Sequence, residues 1–153
     1  MEQRALLAGM FVAILLILPG CLSPAPAPHV SFAINATPGR YNPAMSSTIG
    51  IRLTPVNTSG IIPPGALFTW ETTYGTFSHW GPPGFRVIEL GTPYTGDDEP
   101  VYWSYFPGHG GKEQRPVTIT LTVREPGPGA VLGNATLHVG WEDPQGFTAI
   151  VGG

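Results

Sequence analysis

The clearest pattern in the chain is an alternation of apolar and polar residues with a period of two. Between residues 117 and 123, Val, Ile, Leu and Val occupy every second position and threonines fill the positions between them. Because successive side chains of a β-strand point to opposite faces, this pattern predicts a strand with one buried face. The alternation recurs clearly at residues 49–54, 68–73 and 135–139. It recurs more weakly at residues 31–35, 85–90 and 101–105.

Clusters of turn-forming residues separate these segments. Glycine and proline dominate them, at residues 37–39, 62–65, 81–84, 95–98, 107–111 and 126–129. No segment beyond the N-terminal apolar run has the 3.6-residue periodicity of a helix. The pattern therefore predicts an all-β domain over residues 29–153, an antiparallel β-sandwich of about seven strands. Its predicted buried residues include Trp70, Trp103, Ile119, Leu121 and Leu137.

An apolar run at residues 5–18 precedes the sequence Leu18-Pro19-Gly20-Cys21. The run is shorter than the roughly 20 residues that a membrane-spanning helix needs. This segment resembles the signal peptide and lipobox of prokaryotic lipoproteins, although Pro19 departs from the usual residue. The resemblance implies a signal peptide at residues 1–20, a helical segment cut before Cys21, and a lipid on Cys21. An ordinary secretory signal or an uncleaved signal anchor remains the alternative.

The segment after Cys21 alternates proline with small residues, in the sequence Leu22-Ser23-Pro24-Ala25-Pro26-Ala27-Pro28. Such a sequence favours an extended polyproline II spacer over a folded element. Residues 21–28 are therefore predicted to be a lipidated cysteine and linker. With the lipoprotein resemblance, this organisation implies an extracytoplasmic domain that is lipid-anchored to the cell membrane.

The charge and cysteine content narrow the classes of function. Cys21 is the only cysteine, so a domain that begins at residue 29 contains no disulfide. The formal net charge is −3 and the chain has no basic patch, which argues against a nucleic-acid partner.

Four segments, taken in order, resemble the strands of prokaryotic extracellular immunoglobulin-like and PKD-type domains. They are residues 66–76, with Trp70 followed by Gly75-Thr76, and residues 101–105, 116–123 and 130–139. The Asp-Phe-Gly-Asp-Gly turn of PKD-type domains is absent, and Glu71-Thr72-Thr73-Tyr74-Gly75 stands in its place. The resemblance implies an immunoglobulin-like β-sandwich in a prokaryotic surface lipoprotein. It implies a non-catalytic role in cell-surface adhesion or protein interaction.

Catalytic and metal-binding motifs are not recognisable. Ser78, His79 and His109 occur without a Gly-x-Ser-x-Gly motif or an acid at suggestive spacing. The four histidines are too widely separated to form a zinc motif. Asp97, Asp98 and Glu99 form an acidic cluster without the spacing of a calcium loop, so a solvated turn before Val101 is predicted there. We therefore expect no catalytic residue, no metal and no cofactor.

Aromatic residues supply the candidate ligand contacts. Trp70 and Trp103 lie within strand patterns and are predicted to fill the core in place of a disulfide. Trp80 is flanked by loop-forming residues, and either covers the edge of its own core or stacks on a partner. Trp80, Tyr74 and Tyr94 are the candidate contacts with a surface protein or a glycan. An exposed aromatic platform would indicate the alternative function, a carbohydrate-binding module.

Three Asn-x-Ser/Thr sequons are candidate N-glycosylation sites. They begin at Asn35, Asn57 and Asn134, and each lies in or near a predicted turn or on the polar side of a predicted strand. The pattern leaves open whether the host is archaeal, where all three would be plausible sites, or bacterial.

Overall fold

The computed structural model describes residues 29–81, 86–106, 116–143, 145 and 147–152. The predicted signal helix at residues 1–20, Cys21 and the linker lie outside these ranges. The described residues contain no helix, and so none long and apolar enough to cross a membrane. They form eleven strands: β1 Ser31–Thr37, β2 Arg40–Tyr41, β3 Ile51–Ser59, β4 Leu67–Thr72, β5 Thr76–Gly81, β6 Arg86–Gly91, β7 Tyr94–Gly96, β8 Val101–Ser104, β9 Val117–Arg124, β10 Val131–Trp141 and β11 Ala149–Val151.

The strands form two antiparallel sheets. The five-stranded sheet has the order β1-β3-β8-β5-β6, and the six-stranded sheet has the order β2-β11-β10-β9-β4-β7. Every pairing between neighbouring strands is antiparallel. The predicted all-β, antiparallel architecture is therefore confirmed.

The strand with the clearest alternation, β9, lies between β10 and β4 in the six-stranded sheet. Its four aliphatic side chains are buried, and the threonines between them are partly exposed on the outer face. Because β9 has a hydrogen-bonded neighbour on each side, its backbone groups are paired while one face meets the core.

One hydrophobic core contains side chains from both sheets. Trp70, Ile119 and Leu121 from the six-stranded sheet and Trp103 from the five-stranded sheet are fully buried, as predicted. Leu137 is only partly buried, and that prediction is corrected. Since β11 pairs with β10 only from Val139 onward, the rest of β10 is at the sheet edge and Leu137 keeps some contact with solvent.

The structure has more strands than the seven that alternation predicts. The additional strands β2, β7 and β11 are two or three residues long, too short to show a period. The sequence places Ser78, His79 and Trp80 in a loop, but they lie in β5. β3 begins at Ile51 rather than residue 49 and continues through Pro55. Proline is tolerated there because β8 pairs only with Ile51–Leu53.

The domain has two ends with different character. At the entry end, the described chain begins at His29, beside the turn that follows β3 and the turn between β9 and β10. The backbone N–H of Val30 donates to the carbonyl of Leu132, with an N···O distance of 3.0 Å. The opposite, aromatic end contains Tyr41, Tyr74, Trp103, Tyr105 and Trp141, whose rings contact one another.

Candidate interaction surface

Trp80 lies on the outer face of the five-stranded sheet, near its β6 edge. Phe77 of the same strand is fully buried in the core, and alternation along β5 turns Trp80 to the opposite face. Trp80 pairs directly with Val87 of β6. The two residues are 47% and 48% exposed, respectively. Paired residues of an antiparallel ladder share a face, so they form one exposed apolar pair.

A shallow groove adjoins this pair. Its apolar wall includes Ile49, Val87 and Phe106, and Phe106 is 75% exposed. Ser78 and Glu89 contribute polar groups, and the Thr76 hydroxyl donates to Glu89 Oε1 over 3.1 Å. We call Trp80, Val87, Phe106, Ser78 and Glu89 together the β5–β6 surface.

The shape of this surface favours a protein partner over a small molecule. The groove is open and holds about 220 Å³, whereas small-molecule pockets are usually enclosed and hold about 300–1,000 Å³. Its exposed apolar side chains surround one carboxylate, that of Glu89. Aromatic and apolar groups with a small polar component are typical of the centre of a protein interface.

The other two candidate aromatic residues lie elsewhere. The Tyr74 hydroxyl donates to the carbonyl of Phe106 over 3.1 Å, and its ring packs against Tyr105 and Trp141 at the aromatic end. Burial raises the pKa of Tyr74 above its ordinary value of 10.0. Tyr74 touches the rim of the β5–β6 surface through Phe106, but its ring belongs to the aromatic cluster.

Tyr94 belongs to the six-stranded sheet. It is opposite Trp70 in the pairing of β7 with β4, and its side chain packs against the core. Burial raises the pKa of Tyr94, and the nearby negative charges of Asp97 and Glu99 raise it further. The structure therefore does not bring Trp80, Tyr74 and Tyr94 together on one flat platform.

The acidic cluster forms an exposed turn between β7 and β8, as predicted. Asp97 Oδ1 accepts a hydrogen bond from the backbone N–H of Glu99 over 3.1 Å. All three acidic residues are exposed. Within the described ranges, no group of three or more His, Cys, Asp or Glu side chains is arranged to hold a metal ion.

The three sequon asparagines are all exposed, but their surroundings differ. Asn35 lies on β1 opposite Thr54, and Asn134 lies on β10 opposite Thr122. The Asn57 amide donates to the carbonyl of Gly60 over 3.0 Å, and its Oδ1 accepts the N–H of Ser59. The side chain of Asn57 is thus already engaged in the turn that follows β3.

Sequence reasoning missed three members of the β5–β6 surface, Val87, Phe106 and Glu89. Val87 belongs to a weak alternating segment, and its exposed side could have been inferred once that segment was taken as an edge strand. Phe106 lies two residues after the end of β8, where an apolar residue carries no local sign of exposure. His109 and residues 82–85 lie outside the described ranges.

No protein-family model, no curated protein and no solved structure matches this chain. The fold and the β5–β6 surface therefore carry the functional argument.

Proposed function

We propose that the protein is a lipid-anchored, extracytoplasmic immunoglobulin-like module that binds a surface protein, without catalysis, through its β5–β6 surface. The observation that carries the proposal is the exposed Trp80–Val87 pair beside a groove rimmed by Phe106. Tryptophan is enriched among the residues that dominate binding energy in protein interfaces. An isolated exposed apolar residue is ordinary on a protein surface, whereas adjoining apolar residues beside a groove favour a contact site.

The order of the strands supports the immunoglobulin-like part of the proposal. In such domains strands A, B, E and D form one sheet, and strands G, F and C belong to the other. Here β1-β3-β8-β5 follows the first order and β10-β9-β4 follows the second. Trp70 on β4 corresponds to the buried tryptophan that antibody domains have on strand C. β6 and the short strands β2, β7 and β11 are additions to this plan.

The membrane anchor rests on the sequence Leu18-Pro19-Gly20-Cys21 after an apolar run. A domain that begins at His29 would be joined to the lipid by the eight residues 21–28. The partners would then be the membrane, through the lipid, and a surface protein, with no nucleic acid and no cofactor.

Detergent partitioning tests the anchor. Expressed in its host, the full chain should enter the detergent phase, and Cys21→Ser should leave it in the aqueous phase or prevent cleavage of the signal. Equal partitioning of both forms, with cleavage at another position, would contradict lipidation of Cys21.

Binding of the purified full chain to host cells tests the interaction surface. Trp80→Ala and Val87→Ser should each weaken saturable binding, with Trp80→Ala reducing affinity about tenfold or more. Val56→Ser is the matched control, because Val56 is a partly exposed aliphatic residue on β3 of the same sheet. Full binding by Trp80→Ala would refute the assignment of this surface. Competition by a free oligosaccharide would favour a carbohydrate-binding module instead.

A further inference from the structure

The entry end carries two exposed apolar side chains that the β5–β6 surface does not include. Ile61 is 86% exposed and Val131 is 42% exposed. Ile61 follows Gly60, which adopts a φ of +84° and approaches His29 so closely that a Cβ would lie 2.9 Å from the His29 carbonyl oxygen. Val131 precedes Leu132, whose carbonyl accepts the N–H of Val30. The two side chains thus flank the point where the chain enters the domain.

Hydrogen bonds and packing on both sides of Ile61 hold its turn in place. On one side, the Asn57 amide donates to the carbonyl of Gly60 over 3.0 Å. On the other side, Ile62 packs against the core, and the N–H of Ala66 donates to the carbonyl of Pro63 over 3.2 Å. Since the residue next to Ile61 is the one that turns inward, Ile61 itself is directed away from the core.

The sequence limits how far the entry end can lie from the proposed lipid. Eight residues, 21–28, separate a lipid on Cys21 from His29. Fully extended, eight residues reach at most about 28 Å. The nine-residue strand β3 alone is about 30 Å long. The tether is therefore no longer than the domain, and it keeps the entry end within about 28 Å of a lipid on Cys21.

We propose that Ile61, assisted by Val131, inserts into the interfacial region of the membrane that holds the lipid anchor. The inference rests on the proposed anchor and deepens it, because it gives the domain a fixed side toward the bilayer. An apolar side chain at this depth leaves water for the boundary between headgroups and acyl chains, which favours the docked state. Asp97 and Asp98 lie beside the same turn, across a groove lined by Ile62 and Pro63. Their charge favours neutral over anionic headgroups.

Fluorescence quenching on vesicles of neutral phosphatidylcholine tests the contact. In the full chain, the proposed lipid blocks the thiol of Cys21. A thiol-reactive, environment-sensitive dye then labels only the introduced cysteine of the Ile61→Cys variant. Met45→Cys is the matched control, because Met45 is 85% exposed and lies in the loop between β2 and β3, at the aromatic end. We expect nitroxide-labelled lipids to quench the dye at residue 61 at least threefold more than at residue 45. Adding anionic lipid should reduce the difference.

A second variant tests whether Ile61 and Val131 insert together. Ile61→Ser changes an exposed position and should leave the melting temperature unaltered, yet it should reduce quenching of a dye at Val131→Cys. Unchanged quenching there would contradict joint insertion.

The experiment distinguishes a failure of the proposed insertion from a failure of the proposed lipid anchor. If the labelled chains float with vesicles but residues 61 and 45 are quenched equally, the insertion is refuted while the anchor stands. If the chains do not float and Cys21 takes up dye, both are refuted. A dye at residue 61 that is shielded from water but not quenched by lipid would indicate a protein contact at this end and would also refute insertion.

Discussion

The hydroxyl of Tyr105 lies 3.0 Å from the carbonyl oxygen of Tyr41, a residue 64 positions earlier in the chain. The same hydroxyl lies 3.0 Å from the carbonyl oxygen of Phe147 and accepts the N–H of Ala149 over 3.2 Å. One side chain next to β8 of the five-stranded sheet thereby holds β2 and β11 of the six-stranded sheet. Burial raises the pKa of Tyr105, so the hydroxyl keeps its proton.

Tyr105→Phe removes this hydroxyl without removing the ring. Because backbone groups of Tyr41, Phe147 and Ala149 then lose a partner in a largely buried place, we expect the free energy of unfolding to fall by about 1–3 kcal/mol. Urea denaturation monitored by tryptophan fluorescence measures it. Tyr102→Phe is the control, since the Tyr102 hydroxyl makes no hydrogen bond within the described residues, and it should cost much less. Equal losses would mean that the hydroxyl of Tyr105 contributes little.

The two buried tryptophans differ in how their indole N–H groups are satisfied. Trp103 Nε1 donates to the carbonyl of Tyr74 over 2.8 Å, whereas Trp70 Nε1 has no partner among the described residues. Both Trp→Phe substitutions lose similar volume, but only Trp103→Phe breaks a hydrogen bond. We expect it to lower the unfolding free energy by about 1 kcal/mol more than Trp70→Phe. The opposite order in chemical denaturation would contradict this assignment.

Gly133 lies where β10 passes β1. A Cβ at this position would clash with the carbonyl oxygen of Val30 and lie 3.0 Å from the ring of Phe32. Gly133→Ala should therefore destabilise the domain by about 1–3 kcal/mol, because the backbone of β1 must move away. Gly39→Ala is the control, since no atom lies within 4 Å of its Cβ position. Thermal unfolding of both variants checks the difference, and a stable Gly133→Ala protein would exclude so close an approach.

The ionisation of Asp143 makes the stability of the domain depend on pH in the acidic range. The backbone hydrogen bond from Phe147 is the largest of the effects that hold the pKa of Asp143 below its ordinary value of 3.8. Burial, the second largest, raises the pKa, and hydrogen bonds from Thr148 and Gln145 lower it further. A lowered folded-state pKa stabilises the fold above the unfolded pKa, and this contribution disappears as the pH falls through the folded pKa. Asp143→Ala should therefore lower the melting temperature at pH 6. The difference from the native chain should shrink between pH 4 and pH 2.

The period-two alternation was sufficient to predict β9, most of the core and the all-β class. A central strand such as β9 can be predicted from its own residues, because it has a paired strand on each side and only one of its faces is buried. Trp70 and Trp103 were predicted correctly for the same reason, since each occupies an inward position of an alternating run.

The candidate surface depends on information that no local pattern contains. Glycine and proline after Trp80 predict a loop there, yet Trp80 pairs with Val87 and Ser78 pairs with Tyr102, so β5 belongs to the sheet. The sequence makes Tyr94 a candidate ligand contact. In the structure Tyr94 pairs with Trp70, and its ring packs against the core. Such placements arise from contacts between distant parts of the chain.

The first strand of the domain has a mechanical consequence. All seven residues of β1 pair with β3, and two residues later the chain continues as β2 in the opposite sheet. A force that pulls on the N-terminus along the direction of β1 therefore loads all of these pairs. The interstrand hydrogen bonds are perpendicular to that direction, so they are loaded together in shear and do not open one after another. The domain would then resist a pull on its N-terminus most strongly when that pull is parallel to β1.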